Sequence, residues 1–443
     1  MSGIQVGFVV FGVMLALMVV RVPIGIAMFS VGAAGYIYMT GGNVMVLLNS
    51  LKNLAYARLS NYDLVVIPLF LLMGQFATHG GLSKSLFRFV SSFLGHRKGG
   101  VAMAAIGACA GFGAICGSSL ATAATMGQVA LPELRRFGYS GALATGALAA
   151  GGTLGIMIPP SVPLVIYAIL TQESIGKLFM AAVIPGIIAM LGYMLVVRIV
   201  VTLDPAAGPA GPAVPWQDKL TSLFSVLPVL VVFVVVIVGI YGGWANPTEA
   251  AAIGAAACGI LAVTTGRMGA RGLIDSALGT AQGTAMIFLV LLGADMMNST
   301  LALSQMPAEL ASWVKASGLS PLLVMVMVLL IYIFLGCVMD SLAMILLTIP
   351  IFYPMIMGLD FWDLSQQDKS IWFGILALMV VEIGLVHPPV GMNVYIINRL
   401  AKDVPLTETF KGVIPFLISD FVRITVLLFF PIISLYLVRT FHQ

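Results

Sequence analysis

The residues best suited to chemistry stand where the sequence is otherwise apolar. In GGTLGIMIPPS, Gly151, Gly152, Gly155, Pro159 and Pro160 interrupt one long apolar run. In EIGLVHPPVGMN, Glu382, Gly384, His387, Pro388, Pro389, Gly391 and Asn393 do the same. Glycine loosens a helix, and proline removes a donor and collides with the preceding turn. The chain must unwind at such a point, and the freed carbonyls cannot be satisfied by hydrocarbon, so protein or an ion cavity has to cover them. Sodium, a hard cation, favours oxygen ligands, and unwound carbonyls supply them. A plain proline kink is the other reading. Two further interruptions carry Gly117, Ser118 and Ser119, and Gly336, Asp340 and Ser341. Ser118 and Ser119 would add hydroxyls at the first break, and Asp340 and Ser341 face the second by symmetry.

Ionisable groups inside a bilayer are costly and usually functional. Glu382 and Asp340 therefore serve binding or coupling, or else a buried hydrogen bond or helix cap. His387 contacts substrate or lines a polar cavity. The four histidines, His79, His96, His387 and His442, are scattered without metal-ligand spacing. Cys109, Cys116, Cys258 and Cys337 all lie in apolar segments and read as small hydrophobes. Asp420 and Arg423, three apart, are expected to pair locally. Asp295 either lines a path or partners a neighbouring helix. In NPTEA, Asn246, Pro247 and Glu249 suit a helix start. No Ser-His-Asp or Cys-His cluster suggests an enzyme.

The elements that position these groups follow from composition. Of 443 residues, 60% are hydrophobic and 9% charged, and the mean hydropathy is +1.09. Soluble proteins carry about 25% charged residues, so soluble enzymes and disordered chains are excluded. The net charge of +4 comes from basic residues spread singly, which excludes a nucleic-acid surface. The expected class is an all-α polytopic membrane protein. Apolar runs at 4–20, 22–40, 63–80, 139–170, 178–203, 220–241, 246–265, 278–301, 370–400 and 412–438 are candidate spans. The first is read as a helix, not a cleaved signal. Residues 100–136 and 320–358 are each broken near the middle into halves too short to cross alone, and read as re-entrant hairpins.

Basic residues gather in cytoplasmic loops. Arg97 with Lys98 and Arg135 with Arg136 flank the first hairpin, so both its ends lie inside. Asp360, Asp363 and Asp368 follow the second, which therefore enters from the opposite face. Threading the chain with the N-terminus outside leaves about fourteen basic residues inside, Arg267 among them. About six fall outside, including Arg58 and Lys369. Charge alone does not separate a hairpin from two tight spans.

The Pro/Gly/Ala-rich segment DPAAGPAGPAVPW, near the middle, separates two similar halves. Gly113–Ser118 parallels Gly336–Ser341 about 223 residues later, and Gly155–Pro160 parallels Gly384–Pro389 at about 229, a pattern of inverted repeats with interrupted helices. The division expected is 1–62 as N-terminal scaffold helices with an amphipathic arm at 43–62, 63–203 as the first repeat, 204–218 as a cytoplasmic linker and 219–443 as the second repeat. The first repeat holds a broken helix at 139–170, the second one at 370–400 and the final scaffold helix.

FGAICGSS, GTLGIMIPPSVPLVIYAILTQESIGKLFMAAVIPG, NPTEAAAIGA, GCVMDSLAMILLTIPIFYPM and EIGLVHPPVGMNVYII occur in family order from about residue 60 onward. Together they resemble the large membrane subunit of tripartite ATP-independent periplasmic (TRAP) transporters, the DctM type. The resemblance implies an elevator in the bacterial inner membrane, driven by a sodium gradient. A periplasmic solute-binding protein would deliver an organic anion, and a small four-helix subunit of the DctQ type, a separate chain here, would brace the scaffold. By motif it implies one sodium site at Ser118, Ser119, Gly155, Ile158 and Pro160. A second would use Gly336, Met339, Gly384, His387 and Pro389, largely through backbone carbonyls. Substrate would lie between the tips, with Gly117, Thr153, Asp340, Ser341, Glu382 and Asn393 as candidates. His387 departs from the small hydroxyl residue the family often has there. A stand-alone sodium- or proton-coupled anion carrier is the alternative function, and a polytopic membrane enzyme a third.

Overall fold

A computed structural model describes residues 2–265 and 268–441; Arg267 and His442 lie outside the described residues. Among those described the chain is helical, without strands. Helices α1 (Gly3–Val19) and α2 (Ile24–Met39) precede α3 (Val44–Leu59), whose only buried side chain is Leu47. Next come α4 (Val66–His79) and α5 (Leu82–Leu94), then the first hairpin, α6 (Gly100–Cys116) and α7 (Ser119–Arg136). The first broken helix is α8 (Gly141–Met157) and α9 (Val162–Thr171), followed by α10 (Ile175–Leu203). Helices α11 (Trp216–Tyr241), α12 (Pro247–Thr264), α13 (Ala270–Leu303) and α14 (Met306–Ala316) lead to the second hairpin, α15 (Pro321–Gly336) and α16 (Ser341–Met357). The second broken helix is α17 (Gln366–Val386) and α18 (Met392–Leu400), and α19 (Leu406–Phe429) and α20 (Ile432–Phe441) end the chain.

Among the described residues seven helical stretches are long and apolar enough to cross a membrane, one of them α4 together with the 3-10 turn Tyr62–Val65 before it, or eight with α8 and α9 taken as one span bent by 40°. This is fewer than the sequence suggests. The stretches expected as spans 4–20 and 22–40 form helices of only 17 and 16 residues. Arg21 at positive φ with Pro23, and then Gly41 and Gly42 at positive φ, turn the chain there. The expected span 412–438 is parted after Phe429, because Pro431 has no amide to continue the ladder.

Local signals set the helix starts. Ser118, Ser140 and Asp340 accept backbone amides at the starts of α7, α8 and α16. Asn246 and Glu249 form a reciprocal capping box on α12, with both bonds at 2.9 Å. Lys369, assigned to an outer loop by charge, is instead 2% exposed and donates to the Met357 and Leu359 carbonyls. The C-terminus of α16 leaves carbonyls without helical partners, and a cation satisfies them.

Two packing patterns position the site. Helices α2 and α13 meet through glycine: a Cβ at Gly32 would lie 2.6 Å from the Met297 amide, and Thr300 Oγ1 donates to the Gly32 carbonyl at 2.6 Å. Arg58 of α3 reaches Asp295 of α13 in a two-pronged pair at 2.5 and 2.6 Å, so Asp295 partners a neighbouring helix. The broken helices interlock across the halves, α9 packing on α16 and α17, and α18 on α7 and α8. Tyr167 Oη donates to the Ser370 carbonyl at 2.6 Å, and Asn393 Nδ2 to that of Ala149 at 3.3 Å. The mid-chain linker is pinned by backbone bonds from Gly99 to Gly208, Gly211 to Gly95 and Ser140 to Ala207, at 2.9 to 3.0 Å.

Candidate functional site

Each break is a consequence of its proline pair. In a continuous helix the amides of residues 159 and 160 would bond the carbonyls of Gly155 and Ile156. Pro159 and Pro160 have no N–H, so those oxygens lose their helical donors. Helix α8 leaves helical geometry at Ile158, whose φ and ψ are −95° and 119°. Pro388 and Pro389 act likewise on Gly384 and Leu385, although the Gly384 carbonyl keeps a bond from the His387 amide at 3.3 Å, and His387 is extended at −77° and 136°. Both proline pairs contain a cis peptide bond.

The hairpin tips are seated on these breaks through glycine. A Cβ at Gly113 would lie 2.4 Å from Gly155 Cα, and one at Gly384 would lie 2.6 Å from Gly336 Cα. The residues paired by sequence offset thus occupy equivalent crossings. At the first, a Cβ at Gly155 would meet Thr122 Oγ1 at 2.5 Å and the Ser118 carbonyl oxygen at 2.8 Å; one at Gly117 would lie 3.2 Å from the Pro160 carbonyl oxygen. Thr122 Oγ1 and Ser161 Oγ are buried without a hydrogen-bond partner among the described residues. Buried hydroxyls are nearly always bonded, so the Thr122 hydroxyl beside the Ser118 carbonyl at Gly155 makes an oxygen-rich niche that suits a hard cation.

Ser118, Gly155 and Pro160 are therefore brought together, with Ile158 at the start of the unwinding. Ser119 points elsewhere. Its hydroxyl donates to the Glu382 carboxylate, 2.9 and 3.0 Å from the two oxygens, and joins the first tip to the second broken helix. At the second break, Gly336 and Gly384 touch and Met339 is fully buried. Cys337 Sγ lies 3.7 Å from His387 Nδ1 and 3.6 Å from the Pro388 carbonyl. The His387 ring stands edge-on to Phe421 at 6.4 Å. Pro159 and Pro160 are buried, whereas Pro388 and Pro389 are exposed, so the second break is the more open.

Among the substrate candidates, Gly117 faces the first break. Asp340 caps α16 through the Ala343 amide at 2.8 Å, and Ser341 is that helix's first residue. Thr153 is held by α8 and α10, donating to the Ala150 carbonyl at 2.7 Å with its hydroxyl 3.2 Å from Tyr193 Oη. Asn393 belongs to the first half's surroundings by contact, and its Oδ1 is buried without a partner among the described residues.

The sequence pattern did not single out Thr122, Ser161 or Tyr193. Thr122 stands one turn after Ser118 on the same helix face, and that spacing is a usable signal. Tyr193 Oη donates to Asp420 at 3.0 Å, and Asp420 pairs with Arg423 at 2.8 Å, as their spacing predicts. The Arg423 guanidinium lies 5.6 Å from the Tyr193 ring centroid, so its charge is held in the interior between Asp420 and that ring. Cys109, Cys116, Cys258 and Cys337 are all free and buried, and no group of His, Cys, Asp and Glu with metal-binding geometry occurs among the described residues.

Comparison with known proteins agrees with this architecture. Residues 11–433 match the family described as "Tripartite ATP-independent periplasmic transporter, DctM component". The chain is 34% identical to a C4-dicarboxylate TRAP transporter large permease protein of Pseudomonas aeruginosa, covering 85% of this chain and 86% of that one. It is 29% identical to a sialic acid TRAP transporter large permease protein of Vibrio cholerae, over 96% and 97% of the two chains. These relatives are named as permeases, not enzymes. Among solved structures, the YdaH transporter of Alcanivorax borkumensis shares the fold, with a TM-score of 0.59 at 15% identity over 88% of each chain. A profile match over nearly the whole chain, with motifs seated at paired helix breaks, establishes that this multi-pass membrane protein belongs to the DctM family of TRAP transporter large permeases.

Proposed function

We propose that this chain is the permease of a sodium-coupled secondary importer, moving a carboxylate or similar small organic anion across the bacterial inner membrane. A periplasmic solute-binding protein delivers the anion, and a small DctQ-type membrane subunit braces the scaffold. The observation that carries the reading is the niche at the first break: the Ser118 carbonyl and the orphaned Thr122 hydroxyl lie against Gly155, whose own carbonyl loses its helical donor to Pro159. Such a set offers oxygens without fixed charge, which suits a weakly held, exchangeable cation. The dicarboxylate and sialic acid named for two relatives favour an anionic cargo. In this reading the halves form an inverted repeat, and hairpins with broken helices shift as an elevator relative to the glycine-packed α2 and α13.

Uptake by the purified subunits in liposomes, with and without a sodium gradient and the cognate binding protein, tests it. Accumulation that requires both is the expected result. Sodium-driven uptake without any binding protein would make the chain a stand-alone carrier, and uptake indifferent to sodium would refute the coupling assigned to the first break.

A further inference from the structure

On the face assigned to the cytoplasm by charge, a depression of about 470 Å³ is lined by Arg97, Lys98, Met103, Arg198, Thr202 and neighbouring apolar groups. Among the described residues none of its three cations has an ion-pair or side-chain hydrogen-bond partner. The nearby acid, Asp204, uses its carboxylate to cap the Ala206 amide at 3.2 Å. The loop bearing Arg97 and Lys98 is fixed in place. Gly99 donates to the Gly208 carbonyl at 2.9 Å, Gly95 accepts from Gly211 at 2.9 Å, and a Cβ at Gly99 would press on Val197 of α10 at 2.9 Å.

The second half of the observation lies on α10. Leu191, Leu195, Ile199 and Leu203 recur every fourth residue and are 50 to 81% exposed, forming an apolar stripe that runs to the basic mouth. Arg198 and Thr202 flank that stripe by the same helical spacing. Unpaired cations at the end of a membrane helix, continuous with an exposed apolar face, match a ligand with an anionic head and hydrocarbon tails.

We propose that this depression is a binding site for an anionic phospholipid of the inner leaflet, its phosphate held by Arg97, Lys98 and Arg198 and its acyl chains along the α10 stripe. The inference rests on the orientation and the family membership, and is independent of sodium coupling. Basic residues near an anionic surface are each worth about fivefold in affinity, so the three together give about a hundredfold preference.

The test uses the full-length chain in nanodiscs of phosphatidylcholine with a minor fraction of phosphatidylglycerol, with retained lipid counted by native mass spectrometry. Wild type is expected to retain phosphatidylglycerol far above its bulk fraction. The combined Arg97→Gln, Lys98→Gln and Arg198→Gln variant should lose that enrichment by about two orders of magnitude, and each single variant by about fivefold, which keeps the test decisive if the triple variant does not fold. Lys84→Gln with Arg88→Gln, on the same face, should leave it unchanged. Equal enrichment in the wild type and the triple variant overturns the proposal. So does competition by glycerol 3-phosphate as effective as that by the lipid, which would mark a site for a free phosphate ester.

Discussion

Gly155→Ala is the most direct perturbation of the first break. The new methyl would meet two oxygens, Thr122 Oγ1 at 2.5 Å and the Ser118 carbonyl at 2.8 Å. The threonine hydroxyl can rotate away; the carbonyl belongs to the cap of α7 and moves only if the hairpin tip moves. Overpacking of this kind costs about 1–3 kcal/mol, of which alanine's better helix propensity returns about 0.5–1 kcal/mol. Taken at mid-range, a net of about 1.3 kcal/mol, falling on the arrangement that gathers the oxygens, weakens sodium binding about tenfold. The assay is the sodium concentration for half-maximal uptake in proteoliposomes, with thermal melting in detergent as the check on folding. Gly111→Ala is the control: it sits on α6, and its methyl would meet Leu86 at 3.5 Å, an ordinary contact. An unchanged sodium requirement in folded Gly155→Ala, or an equal shift in Gly111→Ala, would refute the reasoning.

Three further substitutions probe neighbouring links. Thr122→Val removes an orphaned hydroxyl at nearly constant shape; if the oxygen serves a cation, the sodium requirement rises about tenfold while melting is unchanged or improved, since an unsatisfied buried group costs about 1–3 kcal/mol. No change in sodium dependence would mean that the hydroxyl is idle. Asp420→Ala strands the Arg423 guanidinium in the core and should destabilise by about 3–5 kcal/mol, whereas Asp420→Leu with Arg423→Met should melt near wild type; equal losses in the two variants would count against the pair as the cause. Arg58→Ala and Asp295→Ala break a largely buried two-pronged pair, and a double-mutant cycle read by denaturation should give a coupling of about 1–3 kcal/mol. A coupling under about 0.5 kcal/mol would mean that α3 is held by other contacts.

Much of the architecture was legible because its signals are local. The first hairpin runs from Gly100 to Arg136 with its turn at Gly117 and Ser118, where Gly117 has φ 64° and the serine caps the next helix. Both features are written in the residue types at those positions. The same holds for the second tip, where Asp340 caps α16, and for the proline pairs. The charge count could place Lys369 on one side of the membrane but not foresee its burial, because the carbonyls that attract it belong to the end of another helix. Asp420 and Arg423 were readable as an i, i+3 pair; Tyr193, more than two hundred residues away on α10, was not.

What the sequence alone determined is therefore the inventory: a membrane chain by its poverty of charge, two breaks by their prolines, two tips by glycine and serine, and a family by the order of these motifs. Only the tertiary structure decided which parts meet. It seated Gly113 on Gly155 and Gly336 on Gly384, left Thr122 without a partner beside the first break, and turned Ser119 away from that break toward Glu382. It also laid Asn393 against Ala149 of the opposite half. Residue type fixes which backbone conformations and hydrogen bonds are available within a turn or two of chain. Contacts across two hundred residues depend on how whole helices pack, and small differences in side-chain volume at the crossings select that packing.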